Sequence, residues 1–342
     1  MKRILVTSTQ YPYYGGAATN SYALIKYFRS QGIASAGVFF DNHSAPVDPD
    51  GIGGVWRVND TNTRNLVKRM IIKYLGGRPD IILAKNYAAP VHSKLMFENV
   101  KTAYMVTGSP HMIRLSSEKI SARKYLASQR KDRFLPEIKA IQNSDLIVPN
   151  SPLGRELLVK HYGSMKNITV PIDTSMALNR HGKVIPFKDR MYDIAFIASN
   201  LKRDVKNAEL AKKVFQEFGT TNKVVVGNNN HPFVGLSKTK VHNILGHHEV
   251  MNIISNSKIV LCTSYYDASP NTIKEAISCG CNVLISKNCG WSEMYPSEFV
   301  CEDVYNFQEW VDKIIVLLKK NISYTLDISH DNHSLANKIK DL

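Results

Sequence analysis

Short runs of aliphatic and β-branched residues recur along this chain, and helical spacing fills much of the sequence between them. The runs are Arg3–Thr7, Ala36–Phe40, Asp80–Ala84, Thr102–Val106, Asp145–Val148, Asp193–Ala198, Lys223–Val226, Lys258–Thr263 and Asn282–Ile285. They are continuous rather than alternating, as strands buried on both faces should be. Between them, Leu210, Val214 and Phe218 share one helical face, with Ala211 and Phe215 beside it. Ile273, Ala276, Ile277 and Gly280 repeat in the same way, as do Phe307, Trp310, Val311, Ile314 and Ile315. Strands that alternate with helices build βαβ units and therefore parallel sheets.

The pattern runs twice. One set of strands ends near Val148 and a second begins near Asp193, with Pro171, Gly182 and Pro186 marking an aperiodic polar stretch between them. The chain has 342 residues, enough for two α/β domains. The reading is an N-terminal domain over residues 1–170, a linker over 171–190, a C-terminal domain over 191–325, and a tail over 326–342 that can return to the first domain. Ligands of doubly wound sheets bind beyond the C-terminal strand ends. The expected architecture is thus α/β, two Rossmann-like doubly wound parallel-sheet domains facing a central cleft.

Apolar residues make up 44% and charged residues 21%, a balance that excludes wholesale disorder. The apolar run after Met1 is too short for a signal-peptide core, and no other stretch is long enough to span a bilayer, so a cytoplasmic location is expected. Five cysteines agree with a reducing compartment, where no pairing scheme is needed. The net charge of +15 is uneven: residues 1–165 hold 23 Lys/Arg against 11 Asp/Glu, while the remainder is near balance. Such an excess suits an anionic acceptor, an anionic membrane surface or a nucleic acid, and equally a plainly basic surface.

Two segments carry chemistry. Tyr11 to Asn20 places Gly15 and Gly16 between the first strand and a helix, where backbone can approach a ligand and free N–H groups can meet a phosphate. An ordinary tight turn reads the same way. The second segment, Cys262 to Leu284, reads strand, loop, helix, tight turn, strand. Ser269 is placed to cap the helix and Pro270 to begin it. Asp267 in the loop and Glu275 on the helix have seven residues between them, so one carboxylate can meet a sugar ring and the other a ribose diol. Ala268, Ser269, Pro270, Asn271 and Thr272 supply the backbone between them.

This segment resembles the signature of the retaining GT-B glycosyltransferases, family 4 in particular: a carboxylate, seven residues, Glu, Ala, a small residue, Gly and a hydrophobic strand. The resemblance implies a donor-sugar contact for the first acid and a ribose contact for Glu275, with Asp267 standing where the family usually has Glu. Residues 194–207 are similar to the segment that clamps the donor diphosphate, with Lys206-Asn207 matching a Lys followed by Gly or Asn. Asn200 stands where the family has Arg, leaving Lys202 or Arg203 to supply the charge. Gly15-Gly16 matches the N-terminal glycine loop, and Pro171 to Thr174 a short interdomain motif. Gly246 and His247 resemble the base-binding turn, and Asn288 to Glu293 the later glycine turn. His111, after the strand at Thr102–Val106, lies a few residues from the family's catalytic histidine, and either faces the sugar or is an ordinary histidine.

The implied function is transfer of a sugar from a nucleotide-sugar donor, UDP- or GDP-linked and held by the C-terminal domain, to the hydroxyl of a glycan, lipid-linked or protein acceptor on the side of the N-terminal domain. Retention of anomeric configuration follows from the resemblance. Catalysis would rest on Asp267, Glu275, Lys206 and His111, with no cofactor, the nucleotide sugar being a substrate, and no metal. Asp48-Pro49-Asp50 has the metal-binding form of another glycosyltransferase class, but among prolines and glycines it reads as a turn. The cysteines at 279, 281, 289 and 301 lack zinc spacing and read as buried thiols. The basic stretch Arg114 to Lys139 either packs on the first sheet or lies on a membrane, which would put the protein at the inner membrane face. Competing functions are a nucleotide-sugar epimerase, a sugar phosphorylase, or non-catalytic binding of membrane or nucleic acid; no nucleic-acid-binding module is visible.

Overall fold

A computed structural model describes residues 2–10, 12, 16–109, 134–173, 184–325, 329–340 and 342. Gly15, His111, most of the basic stretch from Arg114 and Thr174 to Lys183 of the linker lie outside these residues. Those described form two units, one of residues up to 173 together with 329–342, the other of 184–325.

The first unit begins β1 (Arg3–Ser8), α1 (Gly16–Ser30), β2 (Ala34–Phe39), β3 (Val55–Arg57), α2 (Thr61–Leu75), β4 (Ile81–Lys85) and α3 (Ala89–Met96). It continues with β5 (Lys101–Val106), α4 (Leu135–Gln142), β6 (Leu146–Pro149) and α5 (Pro152–Tyr162). The strands form a parallel sheet in the order β3-β2-β1-β4-β5-β6. Successive residues of β1 serve opposite faces. Ile4 and Val6 pack with Tyr22 and Phe28 of α1, while Leu5 packs with Val67 and Ile71 of α2. Burial on both faces is why these runs are continuously apolar.

The second unit repeats the plan with β7 (Tyr192–Asn200), α6 (Ala208–Glu217), β8 (Lys223–Asn228), β9 (Thr239–His242), α7 (His247–Ser255), β10 (Ser257–Cys262), α8 (Asn271–Ser278), β11 (Asn282–Ser286), β12 (Val300–Cys301) and α9 (Phe307–Lys319). Its parallel sheet runs β9-β8-β7-β10-β11-β12, the same order as the first. In each sheet the first and fourth strands are neighbours, which is the switch point of a doubly wound fold. The last helix, α10 (Ser329–Lys340), sets Leu335, Ala336 and Ile339 into the first unit's core beside Ile4 and Phe28.

All nine anticipated strands are present, with ends within about two residues of those expected. The sequence reading lacks β3, β9 and β12, which are edge strands of two to four residues. All five cysteines are buried and free. Asp48 organises its own loop: it accepts from the Tyr22 hydroxyl (2.6 Å) and the N–H groups of Ile52 (3.0 Å) and Gly53 (2.8 Å). Among the described residues no helix is long and apolar enough to cross a membrane.

Candidate active site

In the second unit the switch point lies between β7 and β10, and the loops leaving these strands hold the charged residues. After β7, Asn200 Oδ1 accepts from the Lys202 N–H (3.0 Å) and from Asn229 Nδ2 (2.9 Å), which shapes the turn. Lys202 and Arg203 are exposed on it. A single 3-10 turn, Asp204–Lys206, follows and ends at Asn207 in the left-handed region (φ 48°). A left-handed residue at this point is a physical reason for Asn or Gly to follow the lysine. The β10 loop braces this turn. Thr263 donates its hydroxyl to the carbonyls of Lys206 (2.9 Å) and Asn207 (3.1 Å), and the Tyr265 N–H donates to Val205 (2.9 Å).

The same loop then presents Asp267. Lys206 Nζ donates to Asp267 Oδ2 at 2.6 Å, and the Ser269 N–H donates to Oδ1 at 3.2 Å. The backbone of Asp267 is held by the turn after β11: its carbonyl accepts from the Gly290 N–H (2.7 Å), and its own N–H donates to Asn288 (3.4 Å). The Lys206 and Asp267 side chains are about one-fifth exposed. Burial pushes the Asp267 carboxyl upward, but the charge and hydrogen bond of Lys206 outweigh it and hold the group below the ordinary carboxylate range. Burial likewise opposes the Lys206 charge, and Asp267 restores it, leaving the ammonium above its ordinary value. Arg203 lies near enough to help Asp267 stay ionised.

The helix after this loop starts one residue later than the sequence suggests. Pro270 occupies the N-cap position, Asn271 is the first helical residue, and no side chain caps the helix. The Ser269 hydroxyl accepts from the ammonium of Lys274, a residue buried within the helix. Ala268 and Pro270 are buried, while Asn271 and Thr272 are partly exposed at the helix start. Glu275 is 9% exposed, with its Oε1 3.9 Å from Nδ1 of His247, the first residue of α7. Gly246 precedes α7, and its N–H already donates to the Glu249 carboxylate (2.9 Å).

The structure thus brings Lys206, Asp267 and Ser269 into one hydrogen-bonded group, and Glu275 beside His247. Gly16 is the first residue of α1, in the other unit. The first unit's switch point, between β1 and β4, has its own polar chain. The Thr107 hydroxyl donates to Asn86 Oδ1 (2.7 Å), and Asn86 Nδ2 donates to Thr9 Oγ1 (3.1 Å), so one side chain ties the loops after β1, β4 and β5. Asn86 itself is left-handed (φ 69°). Nearby in sequence, Ser109 donates to buried Glu137 (2.7 Å), which also accepts from the Tyr162 hydroxyl (2.7 Å). Burial raises the Glu137 carboxyl above its ordinary range despite these donors.

The sequence reading gives no role at the site to Thr263, Lys274, Asn86, Glu137 or Arg190. Buried Arg190 donates to the carbonyls of Ile185 (3.0 Å), Ser257 (2.9 Å), Cys279 (3.1 Å) and Gly280 (2.9 Å), joining the start of β10 to the end of α8. Apart from Lys274, which meets Ser269 five residues away, each of these side chains acts on partners remote in sequence, which no local motif announces.

Residues 183–333, which contain this whole second-unit arrangement, match the family model described as glycosyl transferases group 1. The second unit is accordingly a group 1 glycosyltransferase domain. By sequence, none of the curated proteins matches the chain. Among solved structures, this glycosyltransferase is similar to sucrose-phosphate synthase from Thermosynechococcus elongatus, with TM-score 0.72, 14% identity, and 99% of each chain covered. WaaG, a glycosyltransferase involved in lipopolysaccharide biosynthesis, aligns with TM-score 0.71 and 13% identity over 98% of this chain and 99% of that one. HepE of Anabaena, in complex with UDP-glucose, aligns with TM-score 0.70 and 14% identity over 99% of this chain and 100% of that one. At such identities the likeness shows the fold, which is GT-B.

Proposed function

We propose that this glycosyltransferase moves a sugar from a nucleotide-sugar donor to an acceptor hydroxyl, with retention of configuration as in family 4 and without a divalent metal. The observation that carries the reading is the Lys206–Asp267 pair at the switch point, beside the start of α8. Lys206, with Arg203 or Lys202 nearby, supplies fixed positive charge for a departing diphosphate, the electrostatic work that a metal performs in other enzymes. Asp267, kept ionised, accepts hydrogen bonds from donor-sugar hydroxyls, and the N–H groups at the start of α8 add a positive dipole end. Glu275 accepts from the ribose diol. Gly15, Gly16 and His111 remain the first unit's proposed contributors. The relative bound to UDP-glucose makes a UDP-sugar the first donor to try.

The test is turnover of UDP- and GDP-sugars in metal-free buffer with glycan, lipid-linked and protein acceptors, reading the product's anomeric configuration by NMR. The proposal expects a retained anomer and a loss of about 10²–10³ in kcat for Asp267→Asn, the scale of removing one preorganised charge-stabilising group. An inverted product, or turnover only with added metal, would contradict it.

A further inference from the structure

Helix α2 is apolar on two sides. Val67, Ile71 and Leu75 are buried against the first sheet. Leu66, Met70 and Tyr74, each one residue earlier, form a second row that faces outward, 58%, 39% and 47% exposed. Residues four apart lie on one helix face, so the three make a continuous strip about 12 Å long. A lone exposed apolar residue needs no explanation, but an aligned row of three marks an interaction surface.

The row beside it is basic: Arg69 and Lys73 are exposed next to Met70 and Tyr74. Residues 61–79 hold five cations (Arg64, Lys68, Arg69, Lys73 and Arg78) and no carboxylate. Among the described residues no carboxylate pairs with Arg69 or Lys73. The strip ends in an aromatic corner, where the Tyr74 ring meets Trp56 of edge strand β3 edge-on at 5.7 Å and carries the Arg29 guanidinium at 5.4 Å. Arg29 is itself fixed by the carbonyls of Ser35, Ile52 and Gly53.

We infer that this outward face of α2 docks on an anionic lipid bilayer. Leu66 and Met70 would enter the boundary of the hydrocarbon, with Tyr74 and Trp56 at the headgroup level, where amphipathic rings are favoured. Arg69 and Lys73 would meet the anionic headgroups at the same depth, their stems lying along the apolar row. Charge complementarity selects an anionic partner, and the Leu–Met row selects a bilayer over a nucleic acid, whose phosphates would leave that row in water. The inference rests on the first unit alone and not on the donor chemistry.

The test uses the full chain, without nucleotide, sedimented with vesicles of phosphatidylcholine alone or of two parts phosphatidylcholine to one of phosphatidylglycerol at about 0.1 M salt. Wild type is expected to bind the anionic vesicles and not the neutral ones. Arg69→Glu/Lys73→Glu should weaken that binding at least about thirtyfold, at about 1 kcal/mol for each cation lost. Leu66→Ser/Met70→Ser should weaken it about tenfold. Lys319→Glu/Lys320→Glu in the other unit changes net charge equally and should leave most of the binding, separating this face from the general charge. Thermal melts check that each variant folds. Absence of binding to anionic vesicles, or equal losses in the α2 and control variants, would overturn the proposal. So would wild-type self-association that the α2 variants abolish, which assigns the face to a second copy.

Discussion

Replacing Lys206 by Met removes the partner of a carboxylate that burial already disfavours. Desolvation is the largest influence on Asp267, and Lys206 is the group that outweighs it. In the variant the carboxylate would be left under one-fifth exposed with only the Ser269 N–H and the more distant Arg203 charge in support. Breaking one side of a buried pair costs about 3 kcal/mol here, at the low end of the usual range because both side chains retain some solvent. Asp267→Asn should cost less, about 1–2 kcal/mol, since the flexible Lys206 can lift its ammonium toward water. The double variant should resemble Asp267→Asn, giving a coupling energy of about 3 kcal/mol in a double-mutant cycle. Urea unfolding of the four proteins measures it. The pH dependence adds a second reading. In wild type the depressed carboxyl contributes stability that is present above its unfolded pKa and lost as pH falls through the folded one. In Lys206→Met the carboxyl's pKa moves up, so the variant's deficit should be largest near neutral pH and shrink on acidification. Additive single effects, within about 0.5 kcal/mol, or a deficit independent of pH, would refute the reasoning.

Arg190→Met should strand the carbonyls of Ser257, Cys279 and Gly280 and cost about 3 kcal/mol in urea unfolding, with Arg190→Lys recovering less than half because one ammonium cannot reach all of them. Glu137 has its carboxyl raised by burial, so its ionisation destabilises the fold progressively as pH rises from the ordinary glutamate range through the raised pKa. Glu137→Gln should therefore match wild type in acid and become relatively more stable across that interval in parallel melts. At Asn86, substitution by Gly removes both loop ties but keeps the left-handed backbone, whereas Ala adds about 1 kcal/mol of strain. Both variants should lower kcat/KM for the acceptor without weakening nucleotide binding, and Ala should be the less stable of the two.

Much of the fold is legible in the sequence because a strand buried on both faces has no polar side. Runs such as Ile4 to Val6 and Ile259 to Leu261 therefore stand out against amphipathic helices such as Phe307–Lys319. The edge strands are not legible, because an edge needs little apolar burial and Thr239–His242 carries one apolar residue among three polar ones. At the site, the spacing of Asp267 and Glu275 and the Lys206-Asn207 pair stand out locally. Local rules err at the start of α8: Ser269 has the chemistry of a cap, but Pro270 takes that position and the Ser269 hydroxyl meets Lys274. The bracing of Lys206 by Thr263, and of Asp267 by the turn at Gly290, arises only when strands far apart in sequence become neighbours.

The central claim is that the second unit binds a nucleotide sugar through Glu275 and the residues around it. Thermal stabilisation by UDP-, GDP-, ADP- and dTDP-sugars, in chelator and without metal, tests it directly on wild type and Glu275→Ala. A shift specific to one base in wild type, and absent in Glu275→Ala, is the predicted result. If no nucleotide shifts the wild type, or the variant shifts equally, the donor-site account is wrong.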